Sequence, residues 1–464
     1  MHGMVMCAED QALRAIYFID DWMLDRRCDV DRVFPLPRQV KLQGVEDMGV
    51  STIIYDPVVK RFRAWSKLLN TELPARLHES EDGVAWHPTG HTRQMFPRQN
   101  FFEQTWFYDP WDSDPARRHK MITWPYKQNT YGGPGLIETA PDGINWKLQR
   151  EWAWSPPEGN GSDTNNNIFY NPFMREYAVV CRKHHIDRRI AVVVSRDLKN
   201  WSLPRIMLQP EPSDQPLTQF YGMGVFLYKN EIFLGFPLVY RVPDQESRID
   251  GNVFYKMSGR VQSELAYSYD ASAWNRTTRQ PVIPLNEPGE HGGGGSYVRA
   301  LAQRPADGQL LIYSRGVLTN HDGGRRDAKP ENIPQSGLLL HVWREDGFAA
   351  LDAISNTSMI RTRYLVPHSP ELTLNLQAPF GEAWVQVVDK NNAPAPGFTF
   401  NDCVPLTGDD AHMPVRWRKH ADLKAVMDGN RIAIEIRFSS ARLYAVNLHC
   451  SPWYTNTKRP VPRP

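Results

Sequence analysis

The chain has 464 residues and a nearly balanced charge, with 54 Lys and Arg against 52 Asp and Glu. Without a basic or acidic block, this balance argues against nucleic acid or a membrane surface as partner. No apolar run approaches the ~20 residues that span a bilayer. Five scattered cysteines without C-x-x-C spacing predict neither a disulfide framework nor a thiolate zinc site.

Residues 1–45 are expected to form an N-terminal arm that packs against the domain following it. The stretch Met1–Asp10 lacks a charged region followed by an apolar one, so no secretion signal is visible. We therefore expect a cytoplasmic protein, and a secreted one if a leader was removed from the chain.

A short acidic turn, usually with a tryptophan a few residues on, recurs along the chain. Glycine after the aspartate accepts the positive φ that a tight turn requires. A spacing of roughly 55 to 75 residues predicts stacked supersecondary modules. The five copies are Asp82-Gly83 with Trp86, Asp142-Gly143 with Trp146, Asp197-Leu198 with Trp201, Asp270-Ala271 with Trp274, and the degenerate Asp346-Gly347 with Phe348.

A second repeat, offset from the first, consists of a turn between two strand-like stretches, such as Tyr55-Asp56-Pro57 and Tyr108-Asp109-Pro110. Proline cannot donate to a ladder, so these turns belong between strands. Each module then has four strands, and we predict an all-β protein with a five-bladed β-propeller over residues 46–355. Short alternating strands after Ser358 predict a C-terminal β-sandwich over residues 356–464.

This combination resembles the five-bladed propeller glycoside hydrolases of families 32, 43 and 68, and family 32 also joins a propeller to a sandwich. The Asp-Gly-x-x-Trp turns and the segment Pro396–Cys403 are also similar to uncharacterised family-32-like bacterial proteins. The family signatures W-M-N-D-P-N-G, R-D-P and E-C-P are absent here, so no catalytic residue is transferred by motif. The resemblance implies the fold and a glycosidase, and fold alone does not fix function.

The catalytic candidates are acidic residues predicted to reach the central channel, which the first strand of each blade lines. Asp47, Glu103 and Asp163 come from blades one to three, and Glu264 would approach the rim from blade four. Two such carboxylates perform acid, base or nucleophilic work on a glycosidic bond. Asp163 lies in the polar run 159–167, whose Asp and Asn side chains would otherwise form local Asx-turns.

Aromatic, cationic and amide side chains near the same strands are expected to bind the sugar. Arginines among them would suit an anionic glycan, because guanidinium pairs bidentately with carboxylate. The run Gly292–Gly295 lacks the Lys-Ser/Thr of a phosphate loop, and it permits close backbone approach or forms a loop. The predicted substrate-binding residues are Asn165, Arg182, Tyr221, Tyr240, His291, Tyr297, Arg315 and His321.

The sequence therefore predicts a glycoside hydrolase for a plant, algal or microbial glycan, with a carboxylate pair in the propeller pocket. Two alternatives stay open: a polysaccharide lyase using Tyr221 or Tyr297 on a uronate, and a non-catalytic glycan-binding propeller. No cofactor and no metal site are expected, and a structural Ca²⁺ on channel carboxylates is left open.

Overall fold

The structure is a computed structural model that describes residues 12–45, 48–68, 74–93, 105–123, 135–154, 164, 166–184, 187–241, 248–249, 252–253, 259–321, 336–427 and 431–453. Within these ranges, the elements are β-strands apart from two 3-10 helices, Pro115–Arg117 and Lys424–Val426. The predicted all-β class is confirmed. Among these residues, no helix has the length and apolar character needed to cross a membrane.

Two compact units divide the chain, and the first to be described is formed by Pro37–Val342. It contains three four-stranded antiparallel sheets, here called blades 1 to 3, and one nine-stranded sheet. The two halves of the nine-stranded sheet, here called blades 4 and 5, are joined by a parallel pair at Val261 and Gly295. In blade 4 the third strand is broken into two short strands, and Arg248–Ile249 and Asn252–Val253 form a separate pair. The strands are Met48–Asp56, Arg61–Leu68, Ala75–Ser80 and His87–Arg93 in blade 1; Thr105–Tyr108, His119–Thr123, Gly135–Ala140 and Lys147–Trp154 in blade 2; Asn167–Asn171, Glu176–His184, Arg188–Ser195 and Arg205–Leu208 in blade 3; Thr218–Tyr228, Ile232–Arg241, Arg260–Ser263, Ala266–Ser268 and Asn275–Arg276 in blade 4; and Gly295–Gln303, Leu310–Val317, Ser336–Trp343 and Arg38–Val40 in blade 5.

The first strands of the five blades contact one another in sequence and close a ring, because the first strand of blade 5 also contacts that of blade 1. This is the arrangement of a β-propeller, in which the first strands surround a common axis. Apolar clusters fill the space between adjacent blades. One of them joins Phe62 and Trp86 of blade 1 to Leu311 and Tyr313 of blade 5.

The acidic turns fold in the same way in blades 1 to 4. In each, the aspartate Oδ1 accepts hydrogen bonds from the backbone N–H groups two and three residues on, as Asp142 does from Ile144 (2.9 Å) and Asn145 (2.8 Å). The residue after the aspartate has positive φ. These residues are Gly83 (75°), Gly143 (69°), Leu198 (62°) and Ala271 (57°).

Each turn described for blades 1, 2 and 4 also binds the blade before it in the ring. Tyr313 of blade 5 donates its hydroxyl to the Gly83 carbonyl (2.6 Å), and Arg63 of blade 1 donates to the Asp142 carbonyl (2.6 Å). In blade 4, the Asp270 carbonyl accepts from the Asn171 side chain of blade 3 (2.8 Å). The acidic turns that recur in the sequence therefore join neighbouring blades.

The second unit comprises residues up to Leu36 together with Trp343–Val461. Hydrogen bonds join its strands into one ten-stranded sheet. The β-sandwich stays a prediction. The 16-residue strand Thr373–Val388 pairs through its first half with Arg442–Pro452 and through its second half with Ala433–Ser439. The strands are Leu13–Tyr17, Leu24–Cys28, Val30–Val33, Ala350–Ala353, Ser358–Thr362, Leu365–Pro367, Thr373–Val388, Leu406–Pro414, Ala433–Ser439 and Arg442–Pro452.

The domain boundaries differ from those expected from the sequence. The N-terminal strand Leu13–Tyr17 pairs with Arg442–Pro452, and Leu13 and Ile16 are buried in the core of the second unit. Arg38–Val40 joins the propeller as the outermost strand of blade 5, and Gln43 pairs with Ala85 of blade 1. Ala350–Ala353, placed in the propeller by the sequence, pairs with Arg442–Pro452. The degenerate turn at Asp346 likewise belongs to the second unit.

Replacing Asp142 by alanine should lower the free energy of unfolding by about 1 to 2 kcal/mol, because two turn amides lose their acceptor. Urea titration followed by tryptophan fluorescence measures the change. Glu81→Ala is the matched control, since Glu81 makes an ion pair with Arg61 at the surface (2.8 Å). A change for Asp142→Ala no larger than that of the control would contradict the role given to the turn.

His341 in blade 5 should make the propeller less stable in mild acid, because burial lowers its pKa from 6.5 to about 4. Above pH 6.5 the group is neutral in both states. Between pH 6.5 and 4 the unfolded chain binds a proton that the folded chain does not, so stability falls by about 1.4 kcal/mol per pH unit.

His341→Gln should therefore lose about 2 kcal/mol less stability than the wild type between pH 7 and pH 5. Unfolding by urea at the two pH values measures this, with the exposed His87→Gln as control. Parallel pH dependence of the His341→Gln variant and the wild type would refute the assignment.

Candidate active site at the inner strands of the propeller

Three of the four predicted catalytic residues, Asp47, Glu103 and Asp163, lie outside the described residues, as does Asn165. Their neighbours along the chain are described and are buried near the first strands of blades 2 and 3. They include Thr105, two residues after Glu103, and Thr164, which follows Asp163 directly. The position of these threonines gives the local framework of the site.

Side-chain hydrogen bonds connect the inner strands around part of the ring. Thr105 Oγ1 donates to the carbonyl of Asn166 (2.6 Å), which links blade 2 to the segment entering blade 3. Thr164 Oγ1 donates to the carbonyl of Tyr221 (2.6 Å), which links that segment to blade 4. The segments that carry Glu103 and Asp163 in the sequence are thus anchored to adjacent first strands.

Glycine is needed at position 222 for this anchoring. A Cβ atom there would lie 2.4 Å from Thr164 Oγ1, closer than non-bonded atoms approach. The small residue lets the chain before blade 3 sit directly against the first strand of blade 4.

Six of the predicted binding residues fall in blades 3 to 5 or just after them, and together with Arg188 and Arg299 they form what we call the channel cluster. These six are Arg182, Tyr221, Tyr240, Tyr297, Arg315 and His321. The His321 ring contacts two tyrosines: its centroid lies 5.1 Å from that of the Tyr221 ring and 5.3 Å from that of the Tyr240 ring. Tyr221 also meets Tyr297 edge-on at 5.8 Å. The structure thus brings together four of the predicted binding residues, Tyr221, Tyr240, Tyr297 and His321, and arginines lie around them.

The guanidinium groups stack on or lie beside these rings. Arg182 lies over Tyr221, 4.9 Å from the ring centroid, and Arg188 lies over Tyr240 at 5.4 Å. Arg315 is cross-strand neighbour of Tyr297 in blade 5. Both stacking distances are within the range of a favourable cation–π interaction.

Burial governs the protonation of the cluster. It raises the pKa of Tyr297 above its ordinary value, and Tyr221 acts in the same direction, whereas Arg315 and Arg299 oppose the shift. Burial lowers the pKa of Arg315, against the effect of Tyr297 and Tyr221. An arginine keeps its proton at neutral pH even so. Tyr297 is therefore a neutral hydrogen-bonding group beside cations, and its raised pKa makes it a poor general base.

Glu264 occupies a different environment from the one predicted. It is fully buried in the break of the third strand of blade 4, and its Oε1 accepts from Arg241 (2.7 Å) while Oε2 accepts from Arg276 (2.7 Å). Arg276 in turn donates to Asp214 (2.7 Å). A carboxylate with both oxygens held by guanidinium groups is suited to structure, since protonating it would break two ion pairs.

The glycine run before blade 5 packs closely against the backbone of another segment. A Cβ on Gly294 would lie 2.2 Å from the Thr319 backbone, and the Gly292 and Gly294 N–H groups both donate to the Val317 carbonyl (3.1 and 2.9 Å). The backbone carbonyl of His291, next to this run, accepts a hydrogen bond from the Asn286 side chain (2.7 Å). The glycines thus let two backbone segments touch, one of which leads to His321.

Several residues of the site were missed by the sequence prediction. Arg188 donates to the Gln219 side chain (2.8 Å) besides covering Tyr240, and Thr164 anchors the chain beside Asp163. Arg299 contributes positive charge beside Tyr297. The alternation of blade 5 offered a signal for Arg299, because residues 297 and 299 share one face of a regular strand. A register shift between Val298 and Ala300 makes that alternation unreliable at this point.

No family model and no curated protein matches this chain. Among solved structures, an N-acetylgalactosamine deacetylase from F. plautii aligns with 68% of this chain and 95% of its own, at 12% identity and a TM-score of 0.44. The Penicillium chrysogenum alpha-L-arabinanase aligns over 68% and 98%, at 10% identity and a TM-score of 0.39. Exo-beta-1,3-galactanase from Phanerochaete chrysosporium aligns over 90% and 100%, at 9% and 0.39.

Several further similar structures are described as glycoside hydrolases, so the resemblance expected from the sequence recurs among solved structures. A similarity with TM-scores below 0.5 says nothing about activity or substrate.

Glu264→Gln should lower the free energy of unfolding by about 3 kcal/mol, because the buried Arg276 and the partly buried Arg241 lose the carboxylate charge that neutralises them. Urea unfolding measures the loss, and Glu290→Gln, at an exposed loop position, is the control. A variant of unchanged stability that has lost all turnover would instead identify Glu264 as a catalytic acid.

Proposed function

We propose that this protein is a glycoside hydrolase that cleaves a glycosidic bond in a plant, algal or microbial glycan. The observation that carries the proposal is the pair of threonine hydrogen bonds, Thr105 to Asn166 and Thr164 to Tyr221. They hold the chain neighbours of Glu103 and Asp163 against adjacent inner strands. This supports a site in which acidic side chains from different blades converge on the propeller axis.

The proposed chemistry uses Asp163 and either Glu103 or Asp47 as the carboxylate pair. One protonates the departing glycosidic oxygen, and the other acts as nucleophile or activates water. Carboxyl groups about 5 Å apart would give retention of the anomeric configuration, and a separation of roughly 6.5 to 9.5 Å would give inversion. Glu264 is held by Arg241 and Arg276 and is assigned to structure.

The channel cluster would bind the sugar next to the cleaved bond. Tyr221 is partly exposed and offers a ring that can stack on a sugar, and His321 and Arg315 offer polar groups beside it. Apolar surface with a few polar groups is the usual composition of a small-molecule site.

A polysaccharide lyase on a uronate-containing glycan is the second candidate. Tyr221, His321 and the neighbouring arginines favour it, because such a reaction needs a proton acceptor close to groups that neutralise a carboxylate. Its product would be an unsaturated sugar that absorbs in the ultraviolet, which hydrolysis does not give.

Asp163→Asn and Glu103→Gln should each reduce turnover of a susceptible oligosaccharide by about 10² to 10⁴-fold while the protein stays folded, since each removes a proton-transferring or nucleophilic group. Reducing-end release from a panel of oligosaccharides and nitrophenyl glycosides measures turnover. Asp187→Asn is the control: it makes the same kind of substitution at an aspartate that pairs with Arg189 (2.6 Å) and has no proposed part in the reaction. Full activity in the Asp163→Asn variant would remove that residue from the mechanism.

A further inference from the structure

A buried basic side chain occupies the same place in blades 1 and 2. Arg63 donates to Asp56 in blade 1 (2.8 Å), and Lys120 donates to Asp109 in blade 2 (2.8 Å). Both cations lie on the second strand, opposite the residue two positions before the aspartate. Arg63 also donates to the Asp142 carbonyl in the turn of the next blade (2.6 Å). In both blades a cation therefore fills the space beside the end of the first strand.

Blade 3 has neither the cation nor the aspartate at this place. Asn171 replaces the aspartate, since its Oδ1 accepts from the backbone amide two residues on (3.1 Å), as Asp56 Oδ1 does in blade 1 (2.9 Å). The Asn171 amide group also donates to the Asp270 carbonyl in the turn of blade 4 (2.8 Å). Opposite the residue two positions before Asn171 lies Ala178. An alanine thus stands where blade 1 has Arg63.

A cavity of about 210 Å³ lies at this place, between blade 3 and the acidic turn of blade 4. Its floor is apolar and consists of Ala178, Val192 and Val194 of blade 3 with Ala271 of the turn. One water molecule takes about 30 Å³ of the liquid. The space beside Ala178 is therefore large enough for an organic ligand.

The polar wall of the cavity is the Glu176 carboxylate. It makes no ion pair or side-chain hydrogen bond with another residue that the structure describes. Burial raises the pKa of Glu176, and Arg196 and Arg205 oppose that shift. Arg205 lies on the exposed rim, where it donates to the Ser272 carbonyl (3.4 Å). The burial of this carboxylate is thus not compensated in full, and a cation bound against it would offset the cost.

We infer that this cavity binds a small organic cation, a guanidinium or ammonium group on an aliphatic stem. The cationic group would pair with Glu176, and the stem would lie on the apolar floor beside Ala178. The ligand would supply from outside the chain what Arg63 and Lys120 supply in blades 1 and 2. The cavity lies at the end of the first strand of blade 3, and the candidate active site lies at its beginning. The inference is therefore independent of the proposed hydrolysis.

The test is a binding measurement on the full chain. Ligand-observed NMR titration compares n-butylguanidinium and n-butylammonium with n-butanol and butyrate, which have similar stems without the positive charge. At least one cation should bind roughly tenfold or more tightly than n-butanol, because hydrogen bonds between charged groups are the stronger kind. Butyrate should bind more weakly than n-butanol. No binding of either cation, equal binding of the cations and n-butanol, or tighter binding of butyrate would overturn the inference.

The same chemistry occurs in free amines and guanidines and in the lysine and arginine side chains of a polypeptide. Competition between n-butylguanidinium and a capped Gly-Arg-Gly peptide separates these sources. Displacement by the peptide would uphold the site and assign it to a polypeptide side chain. Binding of n-butylguanidinium that the peptide does not displace would uphold the site and assign it to a free cation.

Variants assign the binding to the cavity. Glu176→Gln should abolish the preference for cations over n-butanol, and Glu290→Gln, at an exposed loop position, is the matched control. Arg205→Gln should strengthen cation binding, because it removes a like charge from the rim. Ala178→Arg should block all four ligands by placing the blade 1 side chain in the cavity. An undiminished preference in folded Glu176→Gln protein, or weaker cation binding in folded Arg205→Gln protein, would overturn the inference.

Discussion

The propeller depends on a single backbone constraint, the left-handed residue that follows the aspartate in the turns of blades 1 to 4. Positive φ at Gly143 turns the chain so that the carbonyls of Asp142 and Gly143 accept hydrogen bonds from Arg63 and Trp65 of the preceding blade. A Cβ on Gly143 would lie 2.7 Å from the Trp106 ring, so the turn is also tightly packed. Blade 4 makes the same connection with an alanine at positive φ, at the cost that non-glycine residues carry there.

Buried ion pairs reinforce the same seams. Lys120 of blade 2 donates to both Asp109 and Asp112 (2.8 Å each), and Tyr177 of blade 3 donates to Asp109 (2.8 Å). Partners that satisfy one another in this way give little net stability but penalise every other alignment of the blades, because a misplaced partner leaves a buried charge alone. The network thereby fixes blade 2 against blade 3.

The sequence predicted what local chemistry determines and missed what depends on distant partners. Asp82, Gly83 and Trp86 form a turn that their own residue types specify, so the repeat was readable. The environment of Glu264 could not be predicted from the sequence, because Arg241, Arg276 and Asp214 are far apart along the chain and meet only when blade 4 folds. Likewise, the short strand Arg38–Val40 carries no pattern that assigns it to blade 5. Tyr221, Tyr240 and His321 were predicted to share a site, since the ends of inner and second strands converge in any propeller.

The pairing of Arg38–Val40 with Ser336–Trp343 bears on how the protein is made. Arg38–Val40 leaves the ribosome before the other strands of the propeller, and its partner emerges only after blades 1 to 4. Until then Arg38–Val40 has an open edge, which is the kind of surface that pairs with other chains. Closure over so long a stretch of chain is also slow. Newly synthesised molecules therefore pass through a stage in which a chaperone, or a neighbouring nascent chain, competes for that edge.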